Sequence, residues 1–240
     1  MARLGKILRK IGRILRKSLR YLAYALGIYT LLIAIIVWRS GDDEYRGQLH
    51  ENVVNDITEL NPIPMARIVA PRSIDEIVAA IQTSSGPISI GGGRFSMGGQ
   101  TAIDNGLQID MRDYDQVVSF RPEDREITVQ SGMSWRELQE YIDPHDLSVK
   151  IMQTYANFSV GGSLSVNVHG RYIGHGPVIS SVKAIQLVLA DGTVTNATPD
   201  ENQELFYSAI GGYGGIGVIT EVTLELAKNE KVKTIHLGLG

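Results

Sequence analysis

Residues 87–99 read PISIGGGRFSMGG, a short apolar strand that runs directly into five closely spaced glycines. Such glycines let successive backbone N–H groups converge on an anion, because no Cβ atom restricts the backbone there. A mobile surface loop is the alternative interpretation. The apolar strand Ile88–Ile90 immediately before the glycines favours a phosphate-binding loop.

Two more glycine-rich segments follow along the chain. The second, SVGGSLSVNVHGR at 159–171, has small residues that would allow close approach of a large flat ligand, and Asn167, His169 and Arg171 add hydrogen-bond donors. A loop that only packs is the alternative there. The third, GGYGGIG at 211–217, contains a G-x-G-x-x-G spacing, but a helix is predicted before it and a strand after it. This order is the reverse of the dinucleotide-binding fingerprint and excludes a Rossmann site.

Strand and helix signals alternate along the chain without strict βαβ order, which predicts an α+β fold. Two helices are predicted to begin at the N-caps Ser73 and Ser134, with Glu76 and Glu137 completing capping boxes. Asp191-Gly192 predicts a two-residue hairpin turn. Also predicted are a helix at Glu201–Ile210 and strands at Arg67–Ala70, Ile88–Ile90, Leu107–Met111, Val117–Phe120, Ile127–Gln130, Val182–Leu189, Thr193–Asn196 and Gly217–Leu226.

The composition excludes several classes of chemistry. The chain has 240 residues and no cysteine, so disulfides, Cys-ligated zinc, iron–sulfur clusters and thiol catalysis are excluded. The 220 residues after the first twenty hold 15 basic and 26 acidic side chains, a balance that does not suit nucleic acid. His169 and His175 are six residues apart with no acid nearby, so no metal site is predicted.

The first forty residues predict a membrane anchor. Residues 1–20 hold eight basic side chains and no acid, and their apolar residues share one helical face, as in helices that lie on anionic membranes. Tyr21–Trp38 then runs eighteen residues without a charge. As a helix it would span about 27 Å, close to the thickness of a hydrocarbon core. A cleaved signal peptide and a buried core helix are the alternatives, but Val37-Trp38-Arg39 does not resemble a cleavage site.

Charges on the two sides of this predicted span (residues 21–38) indicate its orientation. Basic residues precede it and Asp42, Asp43 and Glu44 follow it, which favours a single-pass protein with a cytoplasmic N-terminus and the body outside. Residues 39–61 are polar and are predicted to be a linker. Residues 233–240, KTIHLGLG, look like an interrupted strand, so we expect 231–240 to begin a further domain.

Six segments together resemble a known family. They are PISIGGGRFSMGG (87–99), LQIDM (107–111), ITVQSGMSWREL (127–138), SVGGSLSVNVHG (159–170), AIQLVLADGTV (184–194) and ELFYSAIGGYGGIGVITEVTLEL (204–226). They resemble the p-cresol methylhydroxylase-type FAD-binding domain of the vanillyl-alcohol oxidase family, over residues 62–230. The resemblance implies two α+β subdomains, about 62–148 and 149–230, with FAD between them and a separate substrate domain after them.

The resemblance also implies which residues hold FAD. The first segment would wrap the pyrophosphate, and the second would line the flavin and its phosphates. Arg94 could balance the charge of the pyrophosphate, and a plain surface arginine is the alternative. The third would hold FAD by backbone contacts, and His169 would face the flavin ring as the candidate catalytic residue. The cofactor-binding candidates are Gly91, Gly92, Gly93, Arg94, Phe95, Ser96, Met97, Gly98, Ser159, Gly161, Gly162, Ser165, Asn167, Gly217, Val218 and Ile219.

One departure from the family pattern concerns flavin attachment. Many relatives bind flavin covalently through a histidine in a pattern like R-H-S, whereas this chain has Arg94-Phe95-Ser96. Phenylalanine has no nucleophilic nitrogen, and no cysteine is present for the second attachment that some relatives use, so non-covalent FAD is predicted. Non-covalent relatives include a subgroup acting on a lipid-linked sugar, and NVHGR at 167–171 is similar to that subgroup.

The expected function is that of a membrane-anchored FAD-dependent oxidoreductase. It would oxidise a CH–OH group of a sugar, polyol, aldonolactone or related alcohol by hydride transfer to FAD. Expected partners are a small-molecule or lipid-linked alcohol, membrane lipid, and a quinone or O₂ as electron acceptor. The alternatives are a non-catalytic flavin-binding module, an inactive fragment, and a membrane-surface protein whose glycine segments bind nothing.

Overall fold

A computed structural model of the chain describes residues 17–34, 52–172 and 174–230. The chain divides into two units, Met1–Glu51 and Asn52–Gly240. In the first unit, residues 17–34 are helical (α1). Among the described residues, no helix has both the length and the hydropathy of a bilayer-crossing segment. Four predictions lie wholly or partly outside the described residues: 1–16 of the basic segment, 35–38 of the predicted span, 39–51 of the predicted linker, and the start of a further domain at 231–240.

The second unit contains a small parallel sheet. Its strands are β3 (Arg67–Val69), β4 (Ile88–Gly91) and β5 (Leu107–Asp110), and β5 lies in the middle. Helix α2 (Ile74–Gln82) connects β3 to β4 and buries Ile77 and Ile81 in a core shared with β5. The first glycine segment therefore begins at the end of β4, which the parallel sheet holds in place.

A larger antiparallel sheet forms the other layer, in the order β10-β9-β11-β7-β6, with β8 paired to the end of β11. A second core lies on one face of this sheet and includes the fully buried Trp135, Leu164 and Phe206. Separate parallel and antiparallel sheets confirm the predicted α+β class. The strands are β6 (Val117–Arg121), β7 (Glu126–Gln130), β8 (Leu147–Val149), β9 (Val182–Val188), β10 (Val194–Ala197) and β11 (Val218–Lys228).

Three short helices accompany the antiparallel sheet: α3 (Trp135–Ile142), α4 (Val160–Ser165) and α5 (Gln203–Ala209). The predicted capping box at Ser134 and Glu137 is complete. At α2 only half of the box forms, because the Glu76 carboxylate accepts the Arg72 N–H at 2.8 Å.

The division between the sheets differs from the predicted subdomain boundary. β6 and β7 belong to the predicted 62–148 subdomain, but β6 pairs with β7 and β7 pairs with β11, so both lie in the antiparallel sheet. The chain therefore passes from one sheet to the other between Asp113 and Val117. The predicted boundary differs because a hydrophobic pattern does not show which strand pairs with which.

The predicted two-residue hairpin turn was wrong in detail, and the predicted linker contains a short strand. The β9–β10 connection is longer than two residues: Gly192 N–H donates to the Leu189 carbonyl, Leu189 N–H donates to the Thr193 carbonyl, and Gly192 has φ of +85°. These bonds make a type I turn followed by a bulge. Part of the predicted linker is structured, because β1 (Val53–Val54) pairs with β2 (Ile63–Pro64).

Candidate functional site

The three glycine segments meet at one cavity of about 350 Å³ within the second unit. β4 and the loop after it form one wall, α4 forms another, and the residues before β11 close the third side. The predicted residues that line it are Gly92, Ser96, Ser159, Gly161, Gly162, Ser165, Gly217 and Ile219.

Ser159 joins the first segment to the second. Its side chain caps α4 by accepting the Gly162 N–H at 3.3 Å and also receives the Gly93 N–H at 3.4 Å. A Cβ atom on Gly92 would overlap the Ser159 Oγ, so the two segments pack backbone against side chain. Glycine at 92 is required by this close approach.

Backbone donors toward an anion come from the first segment. The N–H groups of residues 94–97 have no acceptor in the part of the chain that the structure describes. In contrast, the N–H groups of Val160 and Gly161 donate to the carbonyls of Met133 and Ser131, both at 2.8 Å. The first segment, rather than the α4 N-terminus, therefore supplies the backbone groups available to a phosphate.

Arg94 lines a smaller cavity beside this one, and it is the one charged residue among the described residues that line either cavity. It has φ of +59°, and its guanidinium binds the Asp110 carboxylate at 2.6 Å, while Arg112 binds the same carboxylate at 2.6 Å. The Arg94 Nε is buried and has no hydrogen-bond partner among the described residues. Two cations share one carboxylate here, which leaves a local positive charge that suits an anionic ligand.

Burial and neighbouring charges shift the pKa values of Arg94 and Asp110. Burial lowers the pKa of Arg94, although the adjacent Asp110 opposes that shift. Burial by itself would raise the pKa of Asp110, but the hydrogen bonds from Arg112 and the charges of both arginines outweigh it and hold the pKa below its usual range. The lowered pKa of Asp110 keeps this carboxylate ionised at neutral pH, where an arginine guanidinium is charged.

Phe95 lies in an aromatic cluster beside the cavity. Its ring centroid is 5.3 Å from that of Tyr155 and 4.9 Å from that of Phe158. A smaller cavity of about 240 Å³ adjoins this cluster and shares Gly92, Ser96, Ser159 and Gly162 with the larger one. Gly93, Arg94 and Phe95 line this smaller cavity, so the predicted site extends into it.

Six predicted residues line neither cavity. His169 is exposed, with Nδ1 3.1 Å from the Gly170 carbonyl oxygen, and Asn167 accepts the Ile179 N–H at 3.3 Å. Val218 is buried in the core shared with the parallel sheet rather than exposed to a cavity. The others are Gly91, Met97 and Gly98.

Several lining residues were not predicted as site residues. Ser131 follows β7 and reaches the cavity because β7 pairs with β11, a contact that sequence pattern does not reveal. Tyr213 and Gly214 belong to the third glycine segment, where the glycine spacing was the available signal. The remaining ones are Ile88, Ser89, Ile90, Gln100, Thr101, Ile103, Met111 and Val166 in the larger cavity, and Phe158, Ser163 and Val168 in the smaller.

Several known proteins are similar to this chain in sequence. Cytokinin dehydrogenase 5 of Arabidopsis thaliana is 30% identical over 173 residues, which cover 68% of this chain and 32% of the relative. L-gulonolactone oxidase of Mus musculus is 28% identical, covering 63% of this chain and 34% of the relative. Decaprenylphosphoryl-beta-D-ribose oxidase of Mycolicibacterium smegmatis is 30% identical, covering 67% and 35%. The chain therefore spans about a third of the length of these relatives.

FAD fits the residues that are present. The glycine backbone allows close approach, residues 94–97 offer N–H groups, and the buried Arg94 Nε offers a further donor beside a local positive charge. A family model described as FAD binding domain matches residues 65–198, more than half of the chain. The chain belongs to this family of FAD-binding domains and takes FAD as its cofactor.

Proposed function

We propose that this chain is the FAD-binding part of an oxidoreductase that oxidises a CH–OH group of a sugar, polyol, aldonolactone or related alcohol. The convergence of three glycine segments on one cavity carries this proposal, together with the N–H groups of residues 94–97, which have no acceptor among the described residues. Two relatives support the substrate class, because they are named for oxidation of a gulonolactone and of a decaprenylphosphoryl ribose.

Bound FAD would supply a hydride acceptor. The alcohol would lose a hydride from carbon and a proton from oxygen, so a base is also needed. In this chain, the backbone N–H groups of residues 94–97 and the guanidinium of Arg94 would bind the pyrophosphate. Ser159 would hold the first segment against α4. We propose His169 for a substrate-side contact, because its ring is exposed and its neighbour Val168 lines the smaller cavity.

We also propose that FAD is held non-covalently. Phe95 occupies the position from which a histidine would attach to flavin, and its ring packs on Tyr155 and Phe158 instead. Neither Phe95 nor any residue of the chain offers a thiol, since the chain has no cysteine.

Turnover with an artificial electron acceptor tests the proposed activity. The purified protein is supplied with FAD, a redox dye and a panel of aldonolactones, polyols and sugars. Dye reduction that depends on one class of alcohol would support the oxidoreductase. Stable FAD binding without reduction of the dye by any alcohol would favour the alternative, a non-catalytic flavin-binding module.

For the first forty residues we propose a single membrane span with the N-terminus in the cytoplasm and the body outside. The basic residues of 1–20 and the uncharged run Tyr21–Trp38 support this proposal. Reporter fusions after Gly240 test it. A reporter that is active only outside the cytoplasm agrees with the proposal, and an active cytoplasmic reporter overturns the orientation. Release of the protein from membranes by alkaline carbonate would contradict the span itself.

A further inference from the structure

Residues 52–63 form a short closed segment that we call the strap. Its ends are joined where β1 pairs with β2, with Val54 opposite Ile63. Asp56 lies at its centre and is 5% exposed. The Asp56 carboxylate accepts the Thr58 N–H at 2.9 Å, the Thr58 hydroxyl, and the Asn61 side-chain amide at 2.7 Å. One buried carboxylate therefore organises the whole strap.

The strap binds the outer side of the first glycine segment through two carbonyl groups. The Ile57 N–H donates to the Arg94 carbonyl at 2.9 Å, and the Asn61 amide donates to the Met97 carbonyl at 3.3 Å. The same Asn61 amide nitrogen is the one that Asp56 holds. Asp56 thus acts on the glycine segment through Asn61 and through the turn that presents Ile57.

These contacts give hydrogen-bond donors to carbonyl groups of the glycine segment and leave its N–H groups available. The carbonyls of Arg94 and Met97 are satisfied by the strap, whereas the N–H groups of residues 94–97 have no acceptor within the described residues. A backbone nest binds an anion only when its N–H groups point together, and unsatisfied carbonyls nearby would oppose that arrangement. The strap satisfies the carbonyls of Arg94 and Met97 in the protein without a bound ligand.

We propose that Asp56 and Asn61 are positioning residues for the cofactor, because they hold the first glycine segment in its phosphate-binding conformation. The inference rests on the proposed placement of the FAD pyrophosphate at residues 94–97. It assigns a role in cofactor affinity to residues predicted to be part of a linker. The positive φ of Arg94, which a side chain rarely adopts, is held on one side by the Ile57 contact.

The test compares Asp56→Ala and Asn61→Ala with Asp191→Ala. Asp191 is a matched control, because its carboxylate also accepts the N–H of a threonine two residues later, Thr193, at 2.8 Å, in the β9–β10 turn outside both cavities. Two readouts are taken: the FAD dissociation constant from flavin fluorescence, and hydrogen exchange in flavin-free protein of the Ile57 N–H, which donates to the Arg94 carbonyl. Asn61→Ala keeps the Asp56–Thr58 turn and serves if Asp56→Ala does not fold.

We expect both strap variants to weaken FAD binding about tenfold, the size of one lost hydrogen bond to a charged group. Exchange of the Ile57 N–H should accelerate in both, because the contact with the Arg94 carbonyl would open more often, and Asp191→Ala should change neither readout. Unchanged exchange in Asn61→Ala would overturn the positioning role even if FAD binds normally to the wild type. Faster exchange with unchanged FAD affinity would show a structural strap only and would also overturn it. A wild type that binds no FAD would refute the proposed function, while the exchange readout would still report on the strap.

Discussion

At the scale of single residues, the contact between Gly92 and Ser159 explains why glycine is needed in the first segment. A Cβ atom at 92 would overlap the Ser159 Oγ, which already receives two N–H groups. Gly92→Ala should destabilise the protein by about 1–3 kcal/mol through overpacking and should weaken FAD binding. Gly86→Ala is the control, because no atom lies within 4 Å of a Cβ at 86. Urea unfolding and FAD titration check both variants, and equal behaviour of the two would refute the contact.

Asp110 predicts a pH dependence of stability. Burial raises its pKa, but Arg112 and Arg94 outweigh burial, so the folded-state pKa lies below the usual value of about 3.9. The unfolded chain therefore binds the proton more readily, and this part of the stability is present above about pH 4 and is lost as pH falls through the folded pKa.

Asp110→Asn should consequently unfold more easily at pH 7 and lose less stability on acidification than the wild type. Asp113→Asn is the control, since Asp113 is half exposed and its ion pair with Arg72 lies on the surface. Urea midpoints between pH 7 and pH 3 make the comparison. A wild type and an Asp110→Asn variant with parallel acid profiles would show that Asp110 is not the group responsible.

At the scale of elements, the N-cap of helix α4 contributes both to the stability of the helix and to the cofactor site. Ser159 caps α4 and contacts the first segment, whereas Ser73 caps α2, away from both cavities. Each Ser→Ala change should cost about 1 kcal/mol of stability through the lost cap. Only Ser159→Ala should also weaken FAD binding. Thermal unfolding with and without FAD separates the two effects, and an equal shift by FAD in both variants would contradict the role of Ser159.

The elements show where sequence reasoning succeeds and where it fails. Strands β4, β5, β7 and β11 were predicted closely, because each contains apolar residues that are consecutive or alternate with polar ones, between turn residues. Helix α4 was missed, since two glycines in six residues obscure helical periodicity, although Ser159 was an available N-cap signal. The strap was predicted as linker because its order depends on Asp56 and on contacts 36 residues away.

At the scale of the whole molecule, the site exists only where two sheets and three segments meet. Sequence pattern located each glycine segment, and the resemblance, not the spacing, indicated that they share one ligand. Ser131 shows what sequence pattern does not predict. It lines the cavity because β7 pairs with β11, and the paired residues Thr128 and Thr223 are 95 positions apart in the sequence. Long-range pairing of this kind is not encoded in local periodicity.

The central claim is that this chain binds FAD without a covalent bond. The visible spectrum of the detergent-purified protein, taken before and after acid precipitation, tests it most directly. We predict a flavin spectrum whose chromophore moves entirely to the supernatant, because Phe95 offers no attachment. Flavin retained in the pellet would contradict the non-covalent site. Protein that stays colourless after incubation with excess FAD and removal of the unbound cofactor would contradict the flavin site itself.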